Sequence, residues 1–212
     1  GGTFESLYAD AVDEALRTSG NEAFESLETV KTRNLAKQEP QNGAQYPKGA
    51  LGKRLSDLAR LIHGDVGLRI GVTEMTGFDT HQGQGADAGQ LANRLQELGD
   101  SLAAFATDLG PKLDDVVVVT MTEFGRTARE NGTKGTDHGT ASASFVLGGG
   151  VHGGRVISKW PGVGPGKLFE DRDLAVTTDL RSVLAESIAA ASIPAKPSDV
   201  FPDFTPSKVG LF

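Results

Sequence analysis

Apolar residues recur every three to four positions along four stretches of the chain, and this spacing predicts α-helices. The stretches lie within residues 3–39, 49–63, 87–109 and 179–191. The third is the clearest, because its pattern stops at Gly110-Pro111, a pair that typically terminates a helix. Its apolar face consists of Leu91, Leu95, Leu98, Leu102, Phe105 and Leu109.

Apolar runs between these stretches predict strands. The unbroken β-branched run Val116-Val117-Val118-Val119 is typical of a strand buried on both faces of a parallel sheet. Residues 68–73 and 142–147 predict further strands, and residues 155–157 could pair at an edge. Strands that alternate with long helices predict an α/β fold with a parallel or mostly parallel sheet. Such sheets bind ligands at the carboxyl ends of their strands.

Composition and charge exclude several classes of protein. The 212 residues include no cysteine, so disulfides and a closed cysteine-ligated zinc site are excluded. The net charge of -7, without a cluster of Lys and Arg, argues against nucleic-acid binding. No apolar stretch approaches the ~20 residues of a membrane span. A negatively charged substrate would therefore need local positive charge from a metal ion or a single arginine.

The organisation along the chain predicts one α/β domain over residues 1–212. We expect a helical lead-in at 1–48 and an extended, proline-rich tail at 192–212. The chain begins with Gly1, and its only methionines are Met75 and Met121. We therefore expect a processed or truncated product, whose signal peptide or upstream part lies outside this sequence.

Two clusters of metal-ligand side chains lie directly after predicted strands. Asp79 and His81 are two residues apart, so on an extended segment both side chains leave the same side and can bind one ion. Asp137 and His138 lie in a Gly-rich loop after the valine run. Each pair alone is weak evidence for a metal, because an ordinary loop hydrogen bond or a capped turn is the more common reason for such a pair. Together, carboxylate and imidazole side chains suit zinc, manganese or iron in an open site.

Glu123 and Arg126 lie in the loop directly after the valine run. Glu123 is a candidate metal ligand or general base, and the alternative is an ion pair with Arg126. Arg126 is a candidate clamp for an oxyanion, because a guanidinium binds phosphate or sulfate through two parallel hydrogen bonds. The alternative for Arg126 is a salt bridge that fixes the loop.

Two short motifs carry less weight. Residues 148–153 match the glycine spacing of a dinucleotide-binding loop, but the next residues, Gly154-Arg155-Val156-Ile157, cannot open a helix, so we predict no dinucleotide cofactor. Asn131-Gly132-Thr133 is a formal N-glycosylation sequence, and three residues of this composition arise by chance in any loop.

Five motifs together resemble the bacterial family catalogued as domain of unknown function 1501. They are G-F-D-T-H at 77–81, T-E-F-G-R-T at 122–127, G-T-D-H-G at 135–139, G-G-G-V-H-G-G-R at 148–155 and D-L-R-S-V-L at 179–184. That family is similar in turn to the alkaline phosphatase and sulfatase superfamily. The resemblance implies an exported protein with a three-layer αβα sandwich. It also implies divalent metals, zinc or manganese, and small anionic ester substrates.

The resemblance also implies roles for individual residues. Asp79, His81 and His138 resemble the ligands of one metal, and Asp137 would ligate or orient it. Glu123 stands where the superfamily usually has an Asp-His pair for a second metal, and Phe124 replaces the His. The superfamily's nucleophile lies on a first strand, whereas residues 1–50 show only helical patterns. The chain thus resembles the C-terminal portion of a metal-dependent phosphate or sulfate ester hydrolase, incomplete at its N-terminus. The alternative is a non-catalytic exported binding or scaffold protein.

Overall fold

The computed structural model describes residues 14–212. Five α-helices and four short strands occur in this part of the chain. The helices are α1 (Glu14–Thr32), α2 (Ala50–His63), α3 (Gln90–Leu109), α4 (Leu180–Ala190) and α5 (Pro197–Val200). The strands are β1 (Val117–Val119), β2 (Gly125–Arg126), β3 (His138–Gly139) and β4 (Val146–Gly148), and 3₁₀ turns lie at Leu35–Lys37 and Gly110–Asp115. Among the described residues, no helix is both long and apolar enough to cross a bilayer.

The helices predicted from apolar spacing are present in the described residues. Helix α2 buries Leu51, Leu55 and Ala59, four residues apart, which is one face of a helix. Helix α3 ends where predicted, because Gly110 adopts the positive φ of 52° that favours glycine. The first part of the predicted stretch 3–39, with the apolar residues Phe4, Leu7, Tyr8 and Val12, lies outside the described residues.

The residues group into two compact units. The first comprises 1–73 and 101–109, of which residues 14 onward are described, and the second comprises 74–100 and 110–212. In the first unit, the 3₁₀ turn with buried Leu35 packs against α1 and α2. The C-terminal part of α3 adds the buried side chains of Ala104, Phe105 and Leu109.

The second unit contains both sheets, and each is a pair of antiparallel strands. Strand β1 pairs with β4 in the register Val117 to Gly148 and Val119 to Val146, and α4 packs against β1. Strand β2 pairs with β3, with Arg126 opposite His138. The valine run is half-buried here rather than buried on both faces. These two pairs neither build nor exclude the expected three-layer sandwich with a parallel sheet, which stays a prediction.

The strand predicted at residues 68–73 is wrong, since this segment forms no strand. Its apolar side chains are exposed, with Ile70 at 67% and Val72 at 83%. A strand exists only where a neighbour accepts and donates its backbone hydrogen bonds, and no described segment pairs with this one. The possible edge strand at 155–157 is also absent from the described structure. Alternating apolar residues therefore did not suffice to specify a strand.

Candidate metal centre

Three of the predicted ligands converge in the second unit. The side chains of Asp79, His81 and His138 each offer one ligand atom, and these atoms all lie within 4.8 Å of one another. The Asp79 Oδ1 atom is 3.0 Å from Nε2 of His81 and 2.8 Å from Nε2 of His138. The two imidazole rings are 5.0 Å apart between centroids. Two residues from one loop and one from a distant strand thus meet at a single point.

Backbone hydrogen bonds join the loop that carries Asp79 and His81 to the loop that precedes His138. The amide of Gly83 donates to the carbonyl of Thr133 (3.0 Å), and the amide of Thr136 donates to the carbonyl of Thr80 (3.2 Å). The hydroxyls of Thr80 and Thr136 both donate to Oε1 of Gln84, each at 2.7 Å. Thr80 is buried, so these bonds are shielded from water. The two loops are therefore fixed to each other.

Gly135 allows this close approach. A Cβ atom at this position would lie 2.3 Å from the carbonyl carbon and oxygen of His81 and 2.4 Å from the carbonyl oxygen of Thr80. Those atoms belong to backbone and cannot rotate away. Only glycine fits between the loops, which explains the Gly135 of the G-T-D-H-G motif in steric terms.

His138 lies on β3, and its ring is stacked on the ring of Phe124 with centroids 3.9 Å apart and an interplanar angle of 12°. Phe124 is the residue immediately before β2. Glu123, the residue before Phe124, lies at a bend of the chain. Glu123 is exposed and has no hydrogen bond or ion pair among the described residues. The structure does not bring Glu123 to the other predicted ligands, and its role as a ligand or base stays a prediction.

Asp137 lies behind His81 rather than among the three converging atoms. Its Oδ1 atom is 3.1 Å from Nδ1 of His81. A histidine that donates Nδ1–H to a carboxylate keeps its Nε2 free to bind a metal, and the carboxylate orients the ring. Of the two alternatives for Asp137, ligation or orientation, this geometry suits orientation.

Arg126 contacts the cluster through its terminal nitrogens. Nη2 lies 2.9 Å from Oδ1 of Asp79 and donates to the carbonyl of Phe78 (2.9 Å). Nη1 donates to the carbonyl of Thr136 (3.1 Å). The expected alternative, an ion pair with Glu123, does not form among the described contacts, and Asp79 takes that place. Both terminal nitrogens already bind protein atoms, so the oxyanion clamp stays a prediction.

Both carboxylates of the site are poised to be ionised. The hydrogen bond with the His138 ring holds the pKa of Asp79 below its usual value, and the charges of His81 and Arg126 act in the same direction. Hydrogen bonds from Asn131 and from His81 hold the pKa of Asp137 below its usual value. A metal would therefore not have to displace protons from these carboxylates at neutral pH.

Sequence reasoning missed two residues that shape the centre. Asn131 donates through Nδ2 to the carbonyl of His81 (3.0 Å) and to Oδ1 of Asp137 (2.9 Å). Phe124 supports the ring of His138, whereas the sequence analysis considered Phe124 only as a replacement for an expected His. An Asn before Gly is a signal for a turn built on the Asn side chain, and this signal at Asn131 coincides with the formal glycosylation sequence.

The family described as "protein of unknown function (DUF1501)" matches residues 3–191. The chain belongs to this family. The motifs that suggested the family include Asp79, His81 and His138, so the converging side chains lie within the matched part. No curated protein and no solved structure matches the chain. The likeness of the family to alkaline phosphatases and sulfatases stays an expectation.

Proposed function

We propose that the chain forms the metal-binding portion of an exported bacterial hydrolase that acts on phosphate or sulfate esters and resembles the alkaline phosphatases. The observation that supports the proposal is the convergence of Asp79, His81 and His138. A periplasmic or cell-surface location is inferred from the family resemblance alone.

The donor set fits a divalent metal, and we propose zinc or manganese. One carboxylate and two imidazoles form a site with room for water or substrate oxygen. Two ligand atoms that each lie ~2.1 Å from a tetrahedral zinc ion are roughly 3.4 Å apart. The Asp79 oxygen lies 3.0 and 2.8 Å from the two imidazole nitrogens, so the carboxylate needs to move away from each ring by only a few tenths of an ångström. Side-chain rotation of an exposed Asp79 can supply this change.

A divalent metal bound here would lower the pKa of a bound water or hydroxyl group and would neutralise charge on the leaving oxygen. In this proposal Asp137 orients His81, and Phe124 supports His138. Arg126 would hold an oxyanion of the substrate, and Glu123 is the candidate metal ligand or general base. The substrate is a small anionic ester, whose attraction to a chain of net charge -7 must come from the metal and Arg126.

One observation favours a second candidate, a non-catalytic metal-binding or scaffold protein. Both terminal nitrogens of Arg126 are bonded to Asp79, Phe78 and Thr136, which leaves the guanidinium fewer donors for a substrate. A site without an anion clamp would bind the metal but would not catalyse ester hydrolysis. The two candidates therefore differ in anion binding rather than in metal binding.

The first test is calorimetric titration of the purified chain with zinc and with manganese. We expect one metal ion per chain. Loss of an outer hydrogen-bond partner of a metal ligand typically lowers metal affinity about 10–100-fold. The variant His138→Ala removes a ligand itself, so its metal affinity should fall by more than this. His152→Ala is the matched control, because His152 is exposed in the Gly-rich loop. The metal affinity of this control variant should equal that of wild type. A wild-type chain without zinc or manganese binding would refute the proposal.

The second test separates the two candidates. The zinc-loaded and zinc-free chains are titrated with orthovanadate and inorganic phosphate, which mimic the reacting group of an ester. Anion binding that requires zinc and weakens in Arg126→Ala would support the hydrolase. Zinc binding without any anion binding would instead favour the non-catalytic candidate. Turnover of a generic aryl phosphate or sulfate by this chain alone should be small, because residues 1–50 show no strand pattern for a nucleophile.

A further inference from the structure

We propose that Asn131 is a positioning residue that fixes the ring of His81 for metal binding. The inference rests on the proposed metal-binding function and deepens it. Asn131 begins the Asn131-Gly132-Thr133 sequence, which has the form of a glycosylation acceptor. Its amide is instead committed to two partners inside the candidate centre.

The Nδ2 atom of Asn131 contacts the backbone of His81 directly and its ring through Asp137. One bond goes to the backbone carbonyl of His81, at 3.0 Å. The other goes to Oδ1 of Asp137, at 2.9 Å, and this oxygen lies 3.1 Å from Nδ1 of the His81 ring. A single nitrogen thus fixes the position of the backbone and of the carboxylate that aligns the ring. Without it, Asp137 could rotate away and release His81.

The orientation of the Asn131 amide is itself determined by its surroundings. Oδ1 accepts from the backbone amides of Thr133 and Gly135, each at 3.0 Å. A flipped amide would direct its NH₂ group at these two N–H donors and its oxygen at the two acceptors. The hydroxyl of Thr133 lies 2.6 Å from the carbonyl of His81, so a second donor supports the same backbone group. Asn131 is therefore a rigid link in the loop.

This link has a consequence for metal affinity. When Nδ1–H of His81 is held on Asp137, Nε2 faces Asp79 at 3.0 Å, where the three ligand atoms converge. Carboxylates that bind the second nitrogen of a ligating histidine fix its tautomer and raise its basicity, and their loss typically costs about 10–100-fold in metal affinity. Because Asn131 holds that carboxylate, its removal should cost affinity although it contacts no metal.

The test uses Asn131→Asp. The new carboxylate keeps the oxygen that accepts from Thr133 and Gly135, so the turn is retained, but it cannot donate to His81 or Asp137. The added negative charge would by itself raise affinity for a cation. A fall in zinc affinity of about tenfold or more, with an altered visible absorption spectrum of the cobalt-substituted chain, would therefore support positioning and not charge.

The control is Asn42→Asp in the other unit, where Nδ2 of Asn42 donates to the carbonyl of Asp108 (3.0 Å). It should leave zinc affinity and the cobalt spectrum unchanged. Zinc affinity of Asn131→Asp equal to or above wild type, with an unchanged cobalt spectrum, would overturn the inference even if its melting temperature falls. A wild-type chain that binds no zinc would instead refute the proposed function, and this inference with it.

Discussion

The buried carboxylate of Asp108 should be a sensitive polar position among the described residues of the first unit. Its Oδ1 atom accepts from the backbone amide of Gln41 (2.7 Å), and its Oδ2 atom accepts from the hydroxyl of Tyr46 (2.9 Å). Nε2 of His63 lies 3.2 Å from the same Oδ1 atom, and only 1% of Asp108 is exposed. The carboxylate thereby ties the loop around residues 41–46 to the end of α3.

Asp108→Ala removes both acceptor oxygens, so the Gln41 amide and the Tyr46 hydroxyl lose their acceptors. Each hydrogen bond to a charged acceptor contributes about 1.5–3 kcal/mol. The variant loses two such bonds, whereas His63 keeps its contact with the backbone carbonyl of Asp108 at 3.1 Å. We therefore expect the free energy of unfolding to fall by about 3–5 kcal/mol. Tyr46→Phe removes one of these bonds and should cost about 1.5–3 kcal/mol.

The assay is urea unfolding followed by far-ultraviolet circular dichroism, for both single variants and the double variant. The interaction energy from this cycle should be about 1.5–3 kcal/mol, since the two groups share one bond. Asp57→Ala is the matched control, because Asp57 is half-exposed and pairs with Lys53 and Arg60 on the surface of α2. Its cost should be below about 1 kcal/mol.

The alkaline pH dependence gives an independent check. Burial and the hydrogen bond to Asp108 raise the pKa of Tyr46 well above its usual range. A group with a raised pKa in the folded state stabilises the fold below its unfolded pKa, ~10 for tyrosine, and loses this contribution as pH rises further. The stability advantage of wild type over Tyr46→Phe should therefore shrink above about pH 10. A loss below ~1 kcal/mol in Asp108→Ala, or an interaction energy near zero, would refute the reasoning.

Two further predictions concern the second unit. The carboxylate of Glu186 accepts from the backbone amides of residues 209–211, and although burial raises its pKa, these bonds lower it below its usual value. The stability that this lowered pKa contributes is present above the unfolded pKa of ~4.3 and is lost as pH falls through the folded pKa. Glu186→Gln should therefore speed hydrogen exchange of those amides at neutral pH, and acidification should do the same in wild type. Equal exchange in both proteins at neutral pH would contradict this. Gly135→Ala should lower the free energy of unfolding by about 1–3 kcal/mol and weaken zinc binding, because its Cβ would lie 2.3 Å from the carbonyl of His81. Gly132→Ala in the same loop meets nothing within 4 Å and should change stability by less than about 0.5 kcal/mol, and equal melting of the two variants would refute the steric argument.

The sequence by itself predicted the longer helices well, whereas the short helix α5 lies in the tail that was expected to be extended. Helices α2, α3 and α4 begin and end within three residues of the predicted bounds. The reason is local, because helical hydrogen bonds join residues four apart and the apolar face repeats at the same spacing. The Asp179 side chain, which accepts from the amide of Arg181, likewise fixes the start of α4 from within the same segment.

The sequence also identified the residue types of the candidate centre, but only the tertiary structure decided which of them meet. Asp79 and His138 are 59 positions apart, and their side chains come within 2.8 Å of each other. Glu123 lies only three positions from Arg126, yet the arginine pairs with Asp79 instead. Spacing along the chain cannot decide between such partners, because the path of each loop depends on the backbone bonds it makes to other loops.

Strand pairing and loop contacts depended on the tertiary structure for the same reason. The apolar segment 68–73 resembles a strand in sequence but pairs with no described strand, whereas Gly125 and Arg126 form β2 because Gly139 and His138 lie beside them. Asn131 belongs to a chance motif in the sequence, and only the folded loops bring its amide to His81 and Asp137. Helices are specified by bonds within one segment, while strands and sites require bonds between segments, and only the folded chain brings those segments together.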